Sequence, residues 1–255
     1  MNRIIKFVIV DIMRNKVVLA YTLLMAILSW GVFSLEDNSS KGVLTLLNLI
    51  LLNVPLVSIV FSTIYIYNSS EFIELLLSQP IKRSKIWVSL FAGLQFSLIS
   101  AFVIGAGIPI LVYAPSGFGI IMLLVGIIIT AVFVSIAFFS AIQTRDKAKG
   151  IGVAILLWLY FALLFDGLVL FLLFQFAEYP IEEAMMVLSA FSPIDLARIM
   201  VLLQLDVSAM MGYTGAIFRQ FFGTQSGIFI SFGVLLLWVL LPFLFSLRKF
   251  RTKDL

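Results

Sequence analysis

Six long apolar stretches alternate with short polar links along the chain. They cover residues 17–35, 43–67, 86–113, 118–142, 151–176 and 227–247. Each is close to or above the roughly 20 apolar residues that a helix needs to cross about 30 Å of hydrocarbon. None shows the alternation with a period of two that a membrane β-strand requires. The pattern predicts an all-α integral membrane protein with six transmembrane helices.

Two segments are neither spans nor simple links. Residues 1–16 mix basic and apolar positions as helices that lie along a membrane surface do, with a frayed extension of the first span as the alternative. Residues 177–226 are too long and too apolar for a free loop. Within them Ser192, Pro193 and Asp195 have the spacing of a helix start. We expect short helices there, which rest on the outer membrane surface or dip into it.

The third predicted span carries a small residue at every fourth position. These residues are Gly93, Ser97, Ala101, Gly105 and Pro109. Such a stripe lets helix backbones approach closely in lipid, where no hydrophobic force drives helices together. Packing within the chain is one use of the stripe, and contact between two copies of the chain is the other.

The composition agrees with a chain that lies mostly in lipid. Of its 255 residues, 62% are hydrophobic and 12% are charged, whereas about a quarter are charged in a soluble domain. The net charge of +4 is scattered over short links, so it does not indicate nucleic-acid binding. The sequence has no cysteine and no histidine, which excludes disulfides and Cys-based or His-based catalysis within this chain.

The basic residues predict the orientation of the chain. If both termini are cytoplasmic, all but three of the 17 Lys and Arg residues are cytoplasmic, the exceptions being Lys41, Arg198 and Arg219. Cytoplasmic loops of membrane proteins carry an excess of Lys and Arg. We therefore expect the N-terminus and the C-terminus to lie inside the cell.

Residues 69–85, between the second and third spans, have the features of a short amphipathic helix. Ser70 is a candidate cap, Glu71 and Glu74 favour the positive end of the helix dipole, and Pro80 would stop the helix. One face has the spacing i, i+3, i+4, i+7 and consists of Phe72, Leu75, Leu76 and Gln79. Such a helix could transmit force from a cytoplasmic partner or could simply lie on lipid.

The string ELLLSQPIKRSKIW, residues 74–87, resembles the cytoplasmic loop of ABC-2 type permeases. The resemblance rests on Glu74, Leu75, Leu76, Leu77, Pro80, Ile81, Arg83 and Ile86. It implies that residues 69–85 form the coupling helix that docks on a cytoplasmic ATPase. The implied docking residues are Glu71, Glu74, Leu75, Gln79, Pro80 and Arg83. The six spans, the N-terminal surface helix and the helical outer segment also resemble the ABC-2 fold, as a single permease domain over residues 1–255.

Two further stretches, residues 158–178 and 191–202, resemble the permease subunit of the nitrous oxide reductase maturation system. That resemblance rests on Phe165, Asp166, Pro193, Asp195 and Arg198. It implies a homodimer in the bacterial inner membrane and an ATPase that holds ATP and Mg²⁺. It also implies a periplasmic β-helix accessory protein and a role in assembling the copper site of the reductase. The implied contacts with the accessory protein are Glu182, Pro193, Asp195 and Arg198.

Asp166 is the one ionisable residue deep in a predicted span, about 5 Å from its middle at 1.5 Å per residue. A charge at that depth costs about 2.5–3.5 kcal/mol, so it must face a cavity, meet a polar partner or be protonated. Candidate partners are Asn48, Asn53, Gln95 and Gln175. Asp166 therefore marks either a polar site on the dimer axis or transport pathway, or a carboxyl that bonds to a neighbouring helix.

The sequence contains no G-x-x-x-x-G-K-[ST] phosphate loop. We therefore expect a non-catalytic subunit without a cofactor of its own. A secondary transporter driven by an ion gradient is an alternative, which would favour paired intramembrane charges and inverted repeats. An ABC-2 exporter of a lipid-like or drug-like molecule and a membrane scaffold without transport are two more.

Overall fold

The structure of the protein, a computed structural model, describes residues 2–36, 39–115, 117–176, 187–202 and 225–252. Its helices, in chain order, are α1 (Asn2–Met13), α2 (Lys16–Leu35), α3 (Ser39–Asn68), α4 (Ser70–Leu77), α5 (Arg83–Phe102), α6 (Ile108–Tyr113), α7 (Gly117–Ala141), α8 (Lys147–Leu159), α9 (Phe165–Gln175), α10 (Pro193–Leu202) and α11 (Gln225–Thr252).

Six helical stretches within the described residues are long and apolar enough to cross a bilayer. They are Lys16–Leu35, Lys41–Asn68, Arg83–Tyr113, Gly117–Ala141, Lys147–Leu172 and Gly227–Thr252. They confirm the six predicted spans, and the protein is a multi-pass, all-α membrane protein.

Two of the spans contain a π-helical turn. Val103–Gly107 joins α5 to α6, and the amide of Ile108 donates to the carbonyl of Val103, five residues back. Tyr160–Leu164 joins α8 to α9 in the same way. A π turn inserts one extra residue and so rotates the helix that follows it. The second turn thereby sets the direction in which Asp166 leaves its span.

The links between spans lie at the two ends of the bundle. At one end, the Lys147 ammonium donates to the Asn68 side chain at 2.7 Å, and the Arg251 guanidinium donates to the Ser84 hydroxyl at 2.6 Å. These contacts bring the end of α3, the start of α5, the start of α8 and the end of α11 together. We call this end, which also carries α1 and α4, the basic face, and the other end the opposite face.

The small-residue stripe of the third span packs against helices of the same chain. A Cβ on Gly105 would lie 2.7 Å from the carbonyl oxygen of Thr22, and a Cβ on Gly93 would overlap Val8. Ser97 and Ala101 between them are fully buried. The stripe therefore lets α1 and α2 approach α5 closely. It is used inside the chain and gives no support to a contact between two copies.

α1 is amphipathic, as predicted for residues 1–16, and its apolar face packs on α5. Val8 is fully buried, and the Asp11 carboxylate accepts a hydrogen bond of 3.0 Å from the Tyr65 hydroxyl in α3. The ring of Phe7 stacks on Phe72 of α4, with 5.2 Å between the ring centroids. α1 thus contacts three neighbouring helices at the basic face.

We expect Gly105→Ala to lower the thermal stability of the protein. The added Cβ would press on the backbone of Thr22 at 2.7 Å, and overpacking of this kind costs about 1–3 kcal/mol. Gly31→Ala is the matched control, since its Cβ would meet nothing within 4 Å and Ala is the better helix former. Thermal unfolding of the detergent-purified variants checks this. Equal melting temperatures for the two variants would contradict the close contact of α2 with the third span.

Candidate coupling surface and intramembrane polar cluster

The helix predicted within residues 69–85 is present, with different ends. Ser69 rather than Ser70 occupies the N-cap position of α4, and its hydroxyl makes no cap hydrogen bond. The helix ends at Leu77, because the amide of Gln79 turns to the carbonyl of Leu76 and tightens the last turn. Gln79 therefore lies outside the helix, and Pro80 follows the C-cap residue Ser78 by two positions, where a proline keeps a helix from continuing.

The buried face of α4 also differs from the predicted one. Ile73 and Leu76 are buried, whereas the Leu75 side chain is 65% exposed and Gln79 is exposed. The prediction that Leu75 and Gln79 share the apolar face is wrong. The single residue Ser69 separates α3 from α4, and this short connection sets the rotation of α4, so that Ile73 and Leu76 meet the neighbouring helices.

The opposite side of α4 and the turn after it are exposed. The six residues that the resemblance implied for docking are all on this side: Glu71, Glu74, Leu75, Gln79, Pro80 and Arg83. We call these six residues the coupling surface. They combine two carboxylates of α4, one of them in its first turn, with an unburied leucine and a basic residue. Such a surface offers both charge and apolar contact to a protein partner.

A cavity of about 270 Å³ adjoins the coupling surface. Its wall includes Glu74 of α4, Trp87 of α5, Thr144 and Arg145 of the link between α7 and α8, and Phe250 of α11. The hydroxyl of Tyr67 forms hydrogen bonds with Thr144 and so holds that link beside α4. The basic face thereby gathers the end of α3, the coupling surface and the α7–α8 link around one opening.

α10 belongs to the predicted outer segment, and it lies among the spans. The amide of Asp195 donates to the Ser192 hydroxyl at 3.2 Å, which confirms the predicted helix start. The indole of Trp238, near the middle of α11, donates to the Ala190 carbonyl at 3.0 Å. The chain that leads into α10 therefore reaches deep into the bundle. Of the two predicted placements, α10 has the one that dips into the membrane.

Asp166, Asp195 and Arg198 form a polar cluster between α9 and α10. Nη1 of Arg198 donates to Oδ2 of Asp166 at 2.9 Å and to Oδ1 of Asp195 at 3.3 Å. The Asp166 and Arg198 side chains are 32% and 31% exposed, and the Asp195 side chain is 11% exposed. Two carboxylates thus share one guanidinium at the edge of the spans. We call these three residues the polar cluster.

The partner of Asp166 is one that the sequence interpretation missed. Gln95 and Asn53, two of the predicted partners, donate instead to the carbonyls of Ala131 and Leu49. Arg198 is the partner of Asp166 because α10 lies among the spans and brings the guanidinium to the carboxylate. The available signal was a basic residue in an otherwise apolar segment, three positions after an acidic one.

The predicted contacts with a periplasmic protein are placed differently. Pro193 and Asp195 are buried against the spans, and Arg198 bonds to Asp166. In this arrangement α10 offers Pro193 and Asp195 to the bundle and not to a second protein. Glu182 lies outside the described residues, as does most of the segment 177–226.

An open groove runs beside the start of α10. Its volume is about 460 Å³, and it lies between α7, α8, α11 and the residues that precede α10. Phe161, Phe191, Leu237 and Trp238 are among its lining residues, which are all apolar in type. The indole N–H of Trp238 is already bonded to Ala190. The groove therefore suits hydrocarbon.

Comparison with known proteins identifies relatives of the chain. A family model described as "ABC-2 family transporter protein" matches residues 4–255. A probable ABC transporter permease protein, NosY, of Pseudomonas aeruginosa is 28% identical to the chain over 223 residues. That match covers 79% of this chain and 81% of the relative.

We expect Arg198→Gln to destabilise the protein by about 1.5–3 kcal/mol, the range for hydrogen bonds to charged groups. The substitution leaves two carboxylates without their shared donor. The double variant Asp166→Asn/Arg198→Gln is expected to recover part of the loss, because the Asp166 charge that has lost its cation is removed as well. Melting temperatures of the purified variants check this, with Arg14→Gln, at an exposed position, as the control. Additive effects of the two substitutions would contradict the ion pair.

Proposed function

Because the chain belongs to the ABC-2 family of transporter proteins and is the permease component of an ABC transporter, we propose that it couples ATP hydrolysis on a separate ATPase to movement of helices at the opposite face. Permeases of this family work with an ATPase and as pairs of permease chains. The proposed assembly is a homodimer with ATP and Mg²⁺ held by the ATPase. In this assembly the basic face is cytoplasmic and the membrane is the bacterial inner membrane.

The observation that carries the proposal is the exposure of the coupling surface. Leu75 is 65% exposed on the same helix as the exposed Glu71 and Glu74, while Ile73 and Leu76 are buried. One side of α4 thus packs on the bundle, and the other side exposes one apolar side chain and two carboxylates. An ATPase surface with a pocket for leucine and a basic rim is the complementary partner.

The contacts of α4 supply a route from the coupling surface into the bundle. α4 joins α3 through Ser69 and stacks on α1 through Phe72 and Phe7. α1 in turn packs on α5 at Gly93. A displacement of α4 therefore acts on α3 directly and on the third span through α1.

For the biological role, we propose maturation of the copper site of nitrous oxide reductase, together with a periplasmic β-helix protein. Two findings support this. A relative that covers most of the chain is a probable NosY permease. In addition, Asp166, Asp195 and Arg198, on which the resemblance rested, lie within hydrogen-bonding distance of one another through the guanidinium. A contact surface for the periplasmic protein would then lie on the opposite face, outside α10.

Export of a lipid-like molecule is the second candidate. The apolar groove of about 460 Å³ beside α10 favours it, because an acyl chain has no polar groups and the groove is lined by apolar residues. Both candidates use the same coupling surface and differ only in what happens at the opposite face.

We expect Glu74→Lys to weaken ATPase binding and to lower the ATPase activity of the purified complex. The reversed charge would repel the basic rim that we propose for the docking surface of the ATPase. Glu36→Lys is the matched control, because it makes the same substitution at the opposite face, at the end of α2, where a cation suits the helix dipole. Co-purification of a tagged permease measures retention of the ATPase. If Glu74→Lys retains as much ATPase as Glu36→Lys, docking at α4 is ruled out.

The maturation role predicts a defect in the reductase itself. Cells that lack this chain are expected to make nitrous oxide reductase with most of its copper missing, as measured by copper analysis of the purified enzyme. Glu74→Lys should give the same defect and Glu36→Lys should not. A normal copper content in the deletion strain would contradict the maturation role and leave the coupling role, which Glu74→Lys tests separately, unaffected.

A further inference from the structure

The polar cluster contains an acceptor that no donor reaches. Oδ1 of Asp195 accepts from Arg198, but Oδ2 is buried and has no hydrogen-bond partner among the described residues. The Asp166 carboxyl lies beside Asp195, because both bond to the same nitrogen, Nη1 of Arg198, at 2.9 and 3.3 Å. Two carboxylates cannot bond to each other without a proton between them. A buried, unpartnered carboxylate oxygen on a residue that shares its guanidinium with a second carboxylate therefore favours a proton on one of the two.

The charges in the cluster lead to the same conclusion. With both carboxyls ionised, Asp166, Asp195 and Arg198 carry a net charge of −1 within the membrane-embedded bundle. An uncompensated charge there costs about 2.5–3.5 kcal/mol, and of two carboxyls in one site, one tends to stay protonated. One added proton makes the cluster neutral and supplies the missing donor.

We propose that the polar cluster is a proton-binding site, in which Asp195 takes up a proton at Oδ2 and donates it in a hydrogen bond to Asp166. The proton comes from water that reaches the cluster along the partly exposed Asp166 and Arg198 side chains. The step breaks one O–H bond of a hydronium ion, which becomes water, and forms one O–H bond at Oδ2, and it leaves the Asp166–Arg198 ion pair in place. It holds whether or not the chain couples to an ATPase.

Among the residues that the structure describes, other charged groups near α10 do not replace this proton. α10 packs on α7, α11, α3 and the π turn Tyr160–Leu164. α7 contains no titratable residue. The titratable residues on the other three elements are Tyr160, Lys41, Tyr65, Tyr67, Arg248, Lys249 and Arg251. Of these, Arg248, Lys249, Arg251, Tyr65 and Tyr67 lie towards the basic face, and Lys41 is exposed at the opposite-face end of α3. The ring of Tyr160 is 41% exposed and makes edge contacts with Phe161 and Phe165.

The bound proton links the seating of α10 to pH. Loss of the proton places two negative charges side by side and pushes Asp195 of α10 away from Asp166 of α9. The folded protein holds a proton that the unfolded chain releases, so its stability falls as pH rises through the point of release. α10 is thereby held more tightly at acidic pH than at alkaline pH.

Infrared spectroscopy of the full chain in phosphatidylcholine vesicles tests the proposal directly. At neutral pH the wild type should show the C=O stretch of a protonated carboxyl, which shifts in heavy water and disappears as pH is raised. Asp195→Asn should lack this band. Glu36→Gln, which removes a carboxyl outside the cluster, should retain it. Absence of the band from the wild type, or its persistence in Asp195→Asn, would overturn the proposal.

A second variant keeps the test decisive if Asp195→Asn does not fold. Asp166→Asn leaves one carboxylate for one guanidinium, so the cluster is neutral without a proton and the band should again be lost. The melting temperature of the wild type should fall as pH rises, and that of Asp166→Asn should change less. The same pH dependence in both proteins, with the band unchanged, would place the titrating group elsewhere.

Discussion

The structure depends on one constraint, which is that the hydrocarbon core of a membrane contains no water to satisfy polar groups. The indole of Trp87 donates to the hydroxyl of Ser246 at 2.8 Å, and that hydroxyl donates to the Phe138 carbonyl at 3.0 Å. These two bonds connect α5, α11 and α7, and they give hydrogen-bond partners to an indole N–H and a hydroxyl that would otherwise have none. The chain that leads into α10 obeys the same rule, because non-helical backbone at membrane depth is tolerated only where protein or a water-filled cavity surrounds it, and Trp238 bonds to the Ala190 carbonyl there.

Apolar attraction does not hold such helices together, since lipid is as apolar as leucine. Close packing of helix backbones takes over this role, and the small residues of the third span allow it. Gly93 and Gly105 admit α1 and α2 to distances that any side chain would prevent. This contact seats α1, which reaches both α4 and α5. The coupling surface is therefore positioned in part by Gly93, a residue that does not belong to it.

The spans could be predicted because their signal, a long apolar stretch, is a local property of the sequence. The orientation of helices about their own axes could not. α4 buries Ile73 in place of Leu75 because the one-residue connection to α3 sets its rotation, and periodicity alone fits either face. The pairing of Asp166 with Arg198 was hidden for a similar reason. It depends on α10 entering the bundle, which hydropathy does not distinguish from a helix that rests on the membrane surface.

The length of α3 has a mechanical consequence. With 30 residues it is about 45 Å long, against roughly 30 Å of hydrocarbon. Pro55 lies near its middle and removes a backbone hydrogen bond there, so the helix has two arms about a weak point. The arm formed by residues 39–55 is about 24 Å long, and a bend of about 10° at Pro55 would move its tip about 4 Å sideways. α10 packs on α3. A small rotation of α3 next to α4 therefore becomes a displacement at the far end of α3 that is large enough to shift a neighbouring helix.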